Sequence, residues 1–544
     1  MKDFHSIIIG AGSAGCVLAG RLGEDRDKQI LVLEAGGPDS SYLLSVPLGV
    51  AKVWNKEEFN WSYQTEPEAL ADNRRIYIPR GKVVGGSSSI NMMAYVRGHR
   101  GDYERWAQNG LNGWSYEEVL PYFRRAEKFE DGENLYRGGD GPLHVHRGSA
   151  PDPIYDAFFA SAPEMGCSVN GDYNGADQSG FSRVQFTARE GRRCSASAAY
   201  LRPALARGNV ELRTRVQVTR ILMDGTRAVG VEYIQNGRRM EVHAEAEVIV
   251  CAGAINSPQL LMLSGIGAAE NLEKSGIATV VDLPAVGRNH QDHPAVRLAY
   301  DLAVPSSVSA QLRLDRLAIS MARAYCFGTG FAAEPPSGTT AFFKSDSSQA
   351  IPDLQLFCVN ASLRSNEWFP GWRKPAQDGF GMRVCHLRPQ SRGSIELASN
   401  DPLAAPRIRN NFLSTPDDRK ALREGIKFAR AIVASSAYKG LAGRETAPGP
   451  AVRSDDELDA YIRQTMDTIY HPLGACRMGS DSQSVVDLQF RVRGTEGLRV
   501  VDASVMPDMV GGNINAPVMM VAEKASDAIR GRTPLPAADL PRTL

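Results

Sequence analysis

Short, largely apolar runs recur far apart along the chain, and each is followed by small or acidic residues. They lie at residues 7–9, 30–33, 247–251 and 498–501. This pattern is typical of strands that are buried on both faces of a parallel sheet and deliver a loop to a ligand. We therefore expect one parallel sheet assembled from segments that are distant in the sequence.

Between these runs, other stretches alternate apolar and polar residues. Residues 209–214 and 383–396 alternate in this way, which predicts antiparallel strands with one solvated face. Residues 417–434 and 454–468 have apolar positions at helical spacing and predict two helices, each beginning next to a residue that can cap it. The sequence has no internal repeat and no low-complexity linker, so we expect an α/β unit with an antiparallel unit inserted between its pieces.

The first apolar run ends in a glycine-rich turn, and Glu34 follows the second run. Gly10 permits a tight turn, Gly12 lets the backbone approach a pyrophosphate, and Gly15 allows a helix to pack closely on its strand. Glu34 can accept hydrogen bonds from ribose hydroxyls, and an acid at this position disfavours the phosphate of NADP. The turn therefore indicates a site for NAD or FAD, with a purely structural glycine turn as the alternative.

The composition is that of an ordinary globular protein. Of 544 residues, 43% are hydrophobic and 23% are charged, and the length suffices for about two to four domains. The 62 Lys and Arg residues balance the 62 Asp and Glu residues, and no block of like charge stands out. This balance argues against nucleic acid and anionic membranes as partners.

The cysteines and the lengths of the apolar runs indicate the cellular compartment. Eight cysteines are scattered without a CxxC pair, which favours reduced thiols over a disulfide framework. No apolar run reaches the roughly 18 residues of a membrane helix, and residues 1–5 lead directly into the first strand without a signal peptide. We expect a cytoplasmic protein and leave peripheral contact with the inner membrane open.

Four further motifs resemble those of a known family. They lie at residues 80–91, 251–267, 470–479 and 512–517, with the sequences RGKVVGGSSSIN, CAGAINSPQLLMLSGIG, YHPLGACRMG and GNINAP. In these motifs the chain resembles the glucose–methanol–choline (GMC) oxidoreductases, which are FAD enzymes. It is most similar to the bacterial choline, aliphatic-alcohol and polyethylene-glycol dehydrogenases, and the similarity covers nearly the whole chain.

The resemblance implies two domains and an α/β fold, α+β overall. A Rossmann-like FAD-binding domain would be built from the non-contiguous residues 1–157, 195–295 and 465–532. A substrate domain with a largely antiparallel sheet would comprise residues 158–194 and 296–464.

The resemblance also implies which residues contact FAD. No second GxGxxG follows, so we expect no separate nicotinamide site. Ile90 stands where some relatives attach FAD through a histidine, and we therefore expect non-covalent FAD. Val218 matches a position whose backbone meets adenine, and Asp502 and Ala503 match positions near the ribityl chain and pyrophosphate. The full implied set is Gly10, Gly12, Ser13, Ala14, Gly15, Glu34, Ala35, Arg80, Val84, Gly86, Ser89, Asn91, Met92, Met93, Ala94, Val218, Ala252, Gly253, Tyr470, Asp502, Ala503, Ala516 and Pro517.

Two residues match the catalytic positions of the family. His471 would take the hydroxyl proton of an alcohol while hydride passes from its carbinol carbon to flavin N5, because a neutral imidazole is a suitable base near neutral pH. Asn515 would hold the substrate oxygen through its amide.

This chemistry predicts oxidation of a primary alcohol to an aldehyde, with electrons passing to a quinone or another non-oxygen acceptor. An oxidase that reduces O2 to H2O2 is the alternative, and a lyase or a photodecarboxylase of the same fold is a more distant one. The oligomeric state stays open.

The remaining candidates are less specific. Phe357, Trp368, Phe369, Trp372 and His386 are candidates for the wall of a substrate pocket, although they equally suit a core. No cage for an ammonium group is evident, so we favour a primary alcohol over choline.

No metal site is expected. The histidine pairs at 144–146 and 290–293 lack completing ligands, and we interpret His293 as structural. Cys476 is interpreted as a core thiol, since no base is indicated that would activate it.

Overall fold

The computed structural model describes residues 4–362 and 364–541. In this part of the chain two seven-stranded sheets each carry a large hydrophobic core, and five smaller sheets of two or three strands surround them.

The described residues form 25 strands. In chain order they are β1 (Phe4–Ile9), β2 (Ile30–Glu34), β3 (Tyr63–Gln64), β4 (Tyr77–Ile78), β5 (Glu127–Phe129), β6 (Leu143–Arg147), β7 (Gly180–Arg183), β8 (Gln185–Phe186), β9 (Ala188–Arg189), β10 (Arg192–Arg193), β11 (Val210–Thr214), β12 (Val216–Asp224), β13 (Arg227–Gln235), β14 (Arg238–Val250), β15 (Ile266–Gly267), β16 (Val281–Asp282), β17 (Pro294–Leu302), β18 (Thr339–Phe343), β19 (Leu354–Val359), β20 (Gly379–His386), β21 (Ser394–Glu396), β22 (Arg407–Arg409), β23 (Ala442–Ala447), β24 (Asp467–Thr468) and β25 (Leu498–Val500).

The same residues form 14 α-helices, several of them a single turn. In chain order they are α1 (Ser13–Leu22), α2 (Tyr42–Ser45), α3 (Val50–Val53), α4 (Arg100–Gln108), α5 (Tyr116–Ala126), α6 (Pro153–Ser161), α7 (Arg202–Leu205), α8 (Gly253–Leu263), α9 (Ala269–Lys274), α10 (Ser307–Gln311), α11 (Leu314–Phe327), α12 (Pro416–Ala434), α13 (Asp455–Thr465) and α14 (Asn515–Ile529). None of these helices is long and apolar enough to cross a bilayer.

The first large sheet has the strand order β11-β2-β1-β14-β13-β12, with β25 also paired to β14. Strands β11, β2, β1, β14 and β25 run parallel, and β12, β13 and β14 continue the sheet as an antiparallel meander. Every residue of β2 is buried. The expected parallel sheet of distant apolar runs is therefore confirmed.

Strand β11 differs from its prediction. The alternation in residues 209–214 predicted an antiparallel strand, but β11 pairs parallel to β2, with Val210 opposite Ile30. Only Val210 of this strand is fully buried, because β11 lies at the edge of the sheet. The other four residues of β11 are all partly exposed, so the alternation in the sequence indicated neither the strand direction nor a clear division into a buried and a solvated face.

The second large sheet has the order β23-β17-β20-β19-β18-β7, with β24 also paired to β17, and all of its pairings are antiparallel. The antiparallel prediction for residues 383–396 is confirmed by β20, and β21 pairs antiparallel with β22 in a separate small sheet. The register places Arg297 of β17 opposite Arg383 of β20, and Arg383 opposite Phe357 of β19. These three side chains therefore share one face of the sheet.

The two predicted helices form close to their expected bounds. Thr415 caps α12 by accepting the backbone N–H of Asp418, and Ser454 caps α13 in a capping box with Glu457. The second helix ends at Thr465 instead of residue 468, because the next residues pair with β17 as β24.

Helices α1 and α14 bring the two ends of the described chain together. The Ser13 hydroxyl donates to the Asn515 amide oxygen over 2.7 Å. The buried carboxylate of Glu523 accepts hydrogen bonds from Arg21 and from the Tyr200 hydroxyl. The first sheet and its helices thus depend on residues from both ends, whereas the domain boundaries given above stay a prediction.

Candidate functional site

A cavity of about 730 Å³ is lined by residues of both large sheets, a volume within the range of about 300–1,000 Å³ found for ligand pockets. One wall consists of the carboxyl ends of β1 and β2 with the loop into α1. The opposite wall includes side chains of β17, β19 and β20. The cavity therefore lies where the parallel sheet delivers its loops, which is the usual ligand position in such folds.

The glycine-rich turn is tightly packed against the neighbouring backbone. Gly10 has φ +100°, and a Cβ on it would lie 2.5 Å from the Cys251 carbonyl oxygen. A Cβ on Gly15 would lie 1.9 Å from the Gly10 oxygen, so Gly15 serves helix packing and does not line the cavity. No side chain caps α1 at Gly12, which leaves the first N–H groups of that helix available to an anion.

Glu34 ends β2 inside the cavity wall. Its carboxylate accepts the backbone N–H groups of Ala11 at 2.8 Å and Gly36 at 2.9 Å. Burial raises the pKa of this carboxyl to about 7, with the two N–H donors opposing the shift. A carboxylate with lone pairs still available at this point can accept ribose hydroxyls.

A second glycine loop closes on the first. A Cβ on Gly86 would lie 2.7 Å from the Gly12 Cα, so the two loops meet backbone to backbone. Asp502 faces the cavity at the start of α8 and accepts hydrogen bonds from the Gly253 N–H and the Ser257 hydroxyl. Close backbone approach, uncapped helical N–H groups and a buried acid are what a dinucleotide requires, and these residues therefore fit FAD.

Most of the residues implied for FAD meet in this cavity. Those in its lining are Gly10, Gly12, Ser13, Ala14, Glu34, Ala35, Arg80, Gly86, Asn91, Met92, Met93, Ala94, Val218, Ala252, Gly253, Tyr470, Asp502 and Ala503. Gly15, Val84, Ser89, Ala516 and Pro517 lie outside the lining. They lie within two residues of lining residues in the sequence, and a contiguous motif does not distinguish residues that line a cavity from those that support it.

His471 lies in the cavity lining between two other side chains. Its Nδ1 is 3.0 Å from Nδ1 of His293, and its Nε2 is 3.2 Å from the amide nitrogen of Asn513. Asn515, expected to act with His471, also lines the cavity, but its amide oxygen accepts from Ser13 instead. The two asparagines are separated by one residue, and α14 begins at the second, so the amide beside His471 belongs to the preceding loop.

The partners of His293 determine how the histidine pair is protonated. Nε2 of His293 lies 2.9 Å from the carbonyl oxygen of Leu387, which can only accept, so this nitrogen carries the proton. Nδ1 of neutral His293 is then an acceptor, and His471 donates to it from its own Nδ1. The lone pair of His471 is consequently on Nε2, facing the Asn513 amide.

Burial keeps both imidazoles neutral. Desolvation lowers the pKa of His293 to about 3 and lowers that of His471 well below its usual value, with His293, Arg80 and Arg383 acting in the same direction on His471. Our interpretation of His293 as merely structural overlooked this contact. Its position just ahead of β17, distant from residue 471 in sequence, gave no signal for it.

Asp292 positions the two histidines through their backbones. One of its carboxylate oxygens accepts the N–H groups of His293 at 2.8 Å and His471 at 2.7 Å. The other accepts the Thr468 hydroxyl at 2.5 Å. The carboxylate thus ties the histidine motif near residue 471 to the start of β17.

Of the aromatic pocket candidates, the structure brings Phe357 to the cavity. Trp368 donates its indole N–H to a carbonyl of α10, and Phe369 and Trp372 are 41% and 65% exposed. His386 is buried against the start of α12. None of these four lines the cavity, because their placement depends on the register of the second sheet and on the loop after β19.

Several cavity residues were not anticipated. Asn513, Trp54 and Trp61 line it, as do Arg297 and Arg383. The two tryptophans lie between Glu34 and the motif at residues 80–91, outside any recognisable motif, and the two arginines meet only through strand pairing. Among residues 4–362 and 364–541, no group of three or more His, Cys, Asp or Glu side chains is placed to hold a metal ion.

Comparison with known proteins agrees with this geometry. Residues 4–295 match the N-terminal family model and residues 389–522 the C-terminal family model, both described as GMC oxidoreductase. The chain therefore belongs to the GMC oxidoreductase family, and it is an FAD-dependent oxidoreductase. The resemblance inferred from the sequence motifs is confirmed.

Relatives cover almost the full chain. The mitochondrial choline dehydrogenase of Homo sapiens is 43% identical, over 99% of this chain and 92% of its own length. The oxygen-dependent choline dehydrogenase of Photobacterium profundum is 42% identical, over 99% and 95%.

Solved structures show the same fold. Pyridoxine 4-oxidase from Mesorbium loti superimposes with a TM-score of 0.88 at 29% identity, covering 98% of this chain and 100% of its own. A formate oxidase variant from Aspergillus oryzae gives 0.90 at 26%, covering 97% and 98%.

Proposed function

We propose that this protein oxidises a primary alcohol to an aldehyde, with His471 as the base, and passes the electrons to a quinone or another non-oxygen acceptor. The observation that carries the proposal is the array His293–His471–Asn513 at the cavity wall, with the basic lone pair of His471 directed away from His293.

His471 and Asn513 have separate roles at the hydroxyl group of the substrate. An alcohol placed between His471 and Asn513 donates its proton to Nε2 of His471, while its oxygen accepts from the Asn513 amide. The amide thereby stabilises negative charge as it develops on that oxygen. We assign this role to Asn513 in place of Asn515, whose amide bonds Ser13 near the uncapped start of α1.

The protein also keeps the base, His471, in its neutral form. Burial favours neutral His471 over its charged form, so the base is available without a preceding proton loss. FAD bound in this cavity would supply the acceptor for the hydride, that is, the hydrogen with its electron pair, that leaves the alcohol carbon. His471 releases the proton to solvent before the next turnover, so the hydride and this proton account for the two hydrogens that the alcohol loses.

The acceptor has two candidates. The mitochondrial relatives, named choline dehydrogenases without mention of oxygen, support a carrier such as a quinone. The bacterial relatives named oxygen-dependent choline dehydrogenases and the solved neighbours named oxidases support O2. We favour the carrier on the Mus musculus and Homo sapiens relatives, whose names state no oxygen dependence, and the rate of reoxidation by O2 decides between the two acceptors.

The test is anaerobic stopped-flow mixing of the yellow protein with primary alcohols, polyols and choline, followed by admission of O2. Flavin bleaching and slow reoxidation support the proposal, whereas fast reoxidation with H2O2 replaces it by the oxidase. His471→Ala should slow bleaching by about 10²–10⁴-fold while FAD stays bound. His144→Ala, a histidine outside the cavity lining, is the matched control. Absence of bleaching with every alcohol overturns alcohol oxidation and favours a lyase or photodecarboxylase.

A further inference from the structure

The wall of the cavity formed by the second sheet is positively charged. Arg297 and Arg383 lie opposite each other on β17 and β20 and both line the cavity. The described lining has only two carboxylates, Glu34 and Asp502, and both bond backbone N–H groups on the opposite wall.

One carboxylate outside the lining is shared between the two arginines. Asp467 of β24 lies 3.3 Å from Arg297 and 3.5 Å from Arg383, and it also accepts the Tyr470 hydroxyl at 3.2 Å. Two guanidinium groups against one carboxylate leave one positive charge at the cavity wall. This excess charge is partly shielded from water, since the Arg383 side chain is only 18% exposed.

The guanidinium groups retain donors for a ligand. Each arginine has five N–H donors. Arg383 donates from one terminal nitrogen to the Thr468 carbonyl, and its other terminal nitrogen makes no hydrogen bond to the described residues. Planar guanidinium groups with unused donors match the two oxygens of a carboxylate.

The charged wall is also close to the base. Arg383 lies over the ring of Tyr470, with 5.4 Å between the guanidinium carbon and the ring centroid, and Tyr470 directly precedes His471. Its charge contributes to the lowered pKa of His471. A short molecule can therefore contact the arginines at one end and His471 at the other.

We propose that the substrate is an anionic alcohol, a hydroxy carboxylate whose carboxylate is bound by Arg297 and Arg383 while its hydroxyl is at His471 and Asn513. This inference rests on the proposed alcohol oxidation. A quaternary ammonium such as choline is repelled by the arginines and can accept none of their hydrogen bonds. The chain thus differs in substrate charge from what the names of its choline dehydrogenase relatives state.

The test compares flavin reduction by ω-hydroxy carboxylates of increasing length, from glycolate upwards, with reduction by alkanols of equal length and by choline. At the preferred length the hydroxy carboxylate should have the highest second-order rate constant for reduction. Arg297→Gln and Arg383→Gln should each lower it by about 10- to 100-fold, the range expected for a lost hydrogen bond to a charged group. The alkanol of that length should change little.

Two further variants serve as controls for the arginine substitutions. Arg316→Gln removes an exposed arginine of α11 and should leave all rates unchanged. Asp467→Asn removes the shared acid and should strengthen binding of the hydroxy carboxylate, which a merely structural role of the arginines does not predict. The flavin absorbance of each variant shows whether FAD is still bound.

The outcomes separate the two proposals. Bleaching by alkanols or choline with no preference for hydroxy carboxylates overturns the anionic substrate and leaves alcohol oxidation intact. Equal losses for charged and neutral substrates in the arginine variants also overturn it. No bleaching by any of these compounds contradicts alcohol oxidation itself.

Discussion

Replacing His293 by Leu tests whether this buried imidazole sets the protonation of the base. His293 is 0% and His471 9% exposed, so water cannot take over the lost acceptor. The Nδ1–H of His471 would then be an unsatisfied buried donor, which costs about 1–3 kcal/mol. His471 avoids this cost by carrying its proton on Nε2, where the proton blocks the lone pair needed for the alcohol.

The fraction of His471 in the competent form should fall accordingly. A cost of about 1–3 kcal/mol corresponds to a factor of about 5–150, and we expect flavin reduction at saturating alcohol to slow by that factor. The assay is anaerobic stopped-flow absorbance, with bound FAD quantified beforehand. His293→Asn places an amide oxygen near the former Nδ1 and should recover most of the rate.

His290 offers a matched control for the loss of a buried imidazole. It is also 0% exposed, and its Nε2 bonds Asn410 without contact to the cavity. His290→Leu should destabilise the fold without slowing flavin reduction. If His293→Leu reduces flavin as fast as the unaltered protein, the tautomer argument fails, and His293 is no more than a packing residue.

Three further predictions concern pH and the cofactor. Because His471 is active when unprotonated and its pKa is lowered, flavin reduction should stay level as pH falls through about 6.5 and decline only at lower pH; a half-maximal rate at or above that value contradicts the lowered pKa. Glu34→Gln should weaken FAD binding by about 10- to 100-fold, measured as quenching of flavin fluorescence on titration, and unchanged affinity would show that the carboxylate is not a ligand. Because Ile90 cannot bond the flavin, acid precipitation should release all FAD into the supernatant, and flavin retained in the pellet would indicate a covalent link elsewhere.

The parts of the site that the sequence could predict are those fixed by local backbone geometry. Gly10 is required by a turn within a few residues, Gly12 keeps the backbone at the start of α1 free of a side chain, and Glu34 ends the strand that pairs with β1. Their chemistry can therefore be inferred without knowledge of the rest of the fold. His471 was found through its motif, which the sequence displays as a contiguous segment.

The parts that could not be predicted depend on register and on helix ends. Asn513 and Asn515 are equivalent in the sequence, and only the start of α14 separates the amide at His471 from the one at Ser13. Arg297 and Arg383 face each other because β17 and β20 pair in one register, and a shift by one residue would turn one of them away. No local pattern specifies that register.

The junction of α1 and α14 has a consequence for biosynthesis. Ser13 of the glycine-rich turn bonds Asn515, which is synthesised 502 residues later, and β25 completes the parallel sheet from residues near 500. Closing a loop of this length costs only slightly more conformational entropy than closing a shorter loop. The contact nevertheless cannot form until residue 515 has been synthesised. A nascent chain therefore carries its dinucleotide signature, without the partners that complete the flavin site, until residue 515 has been synthesised.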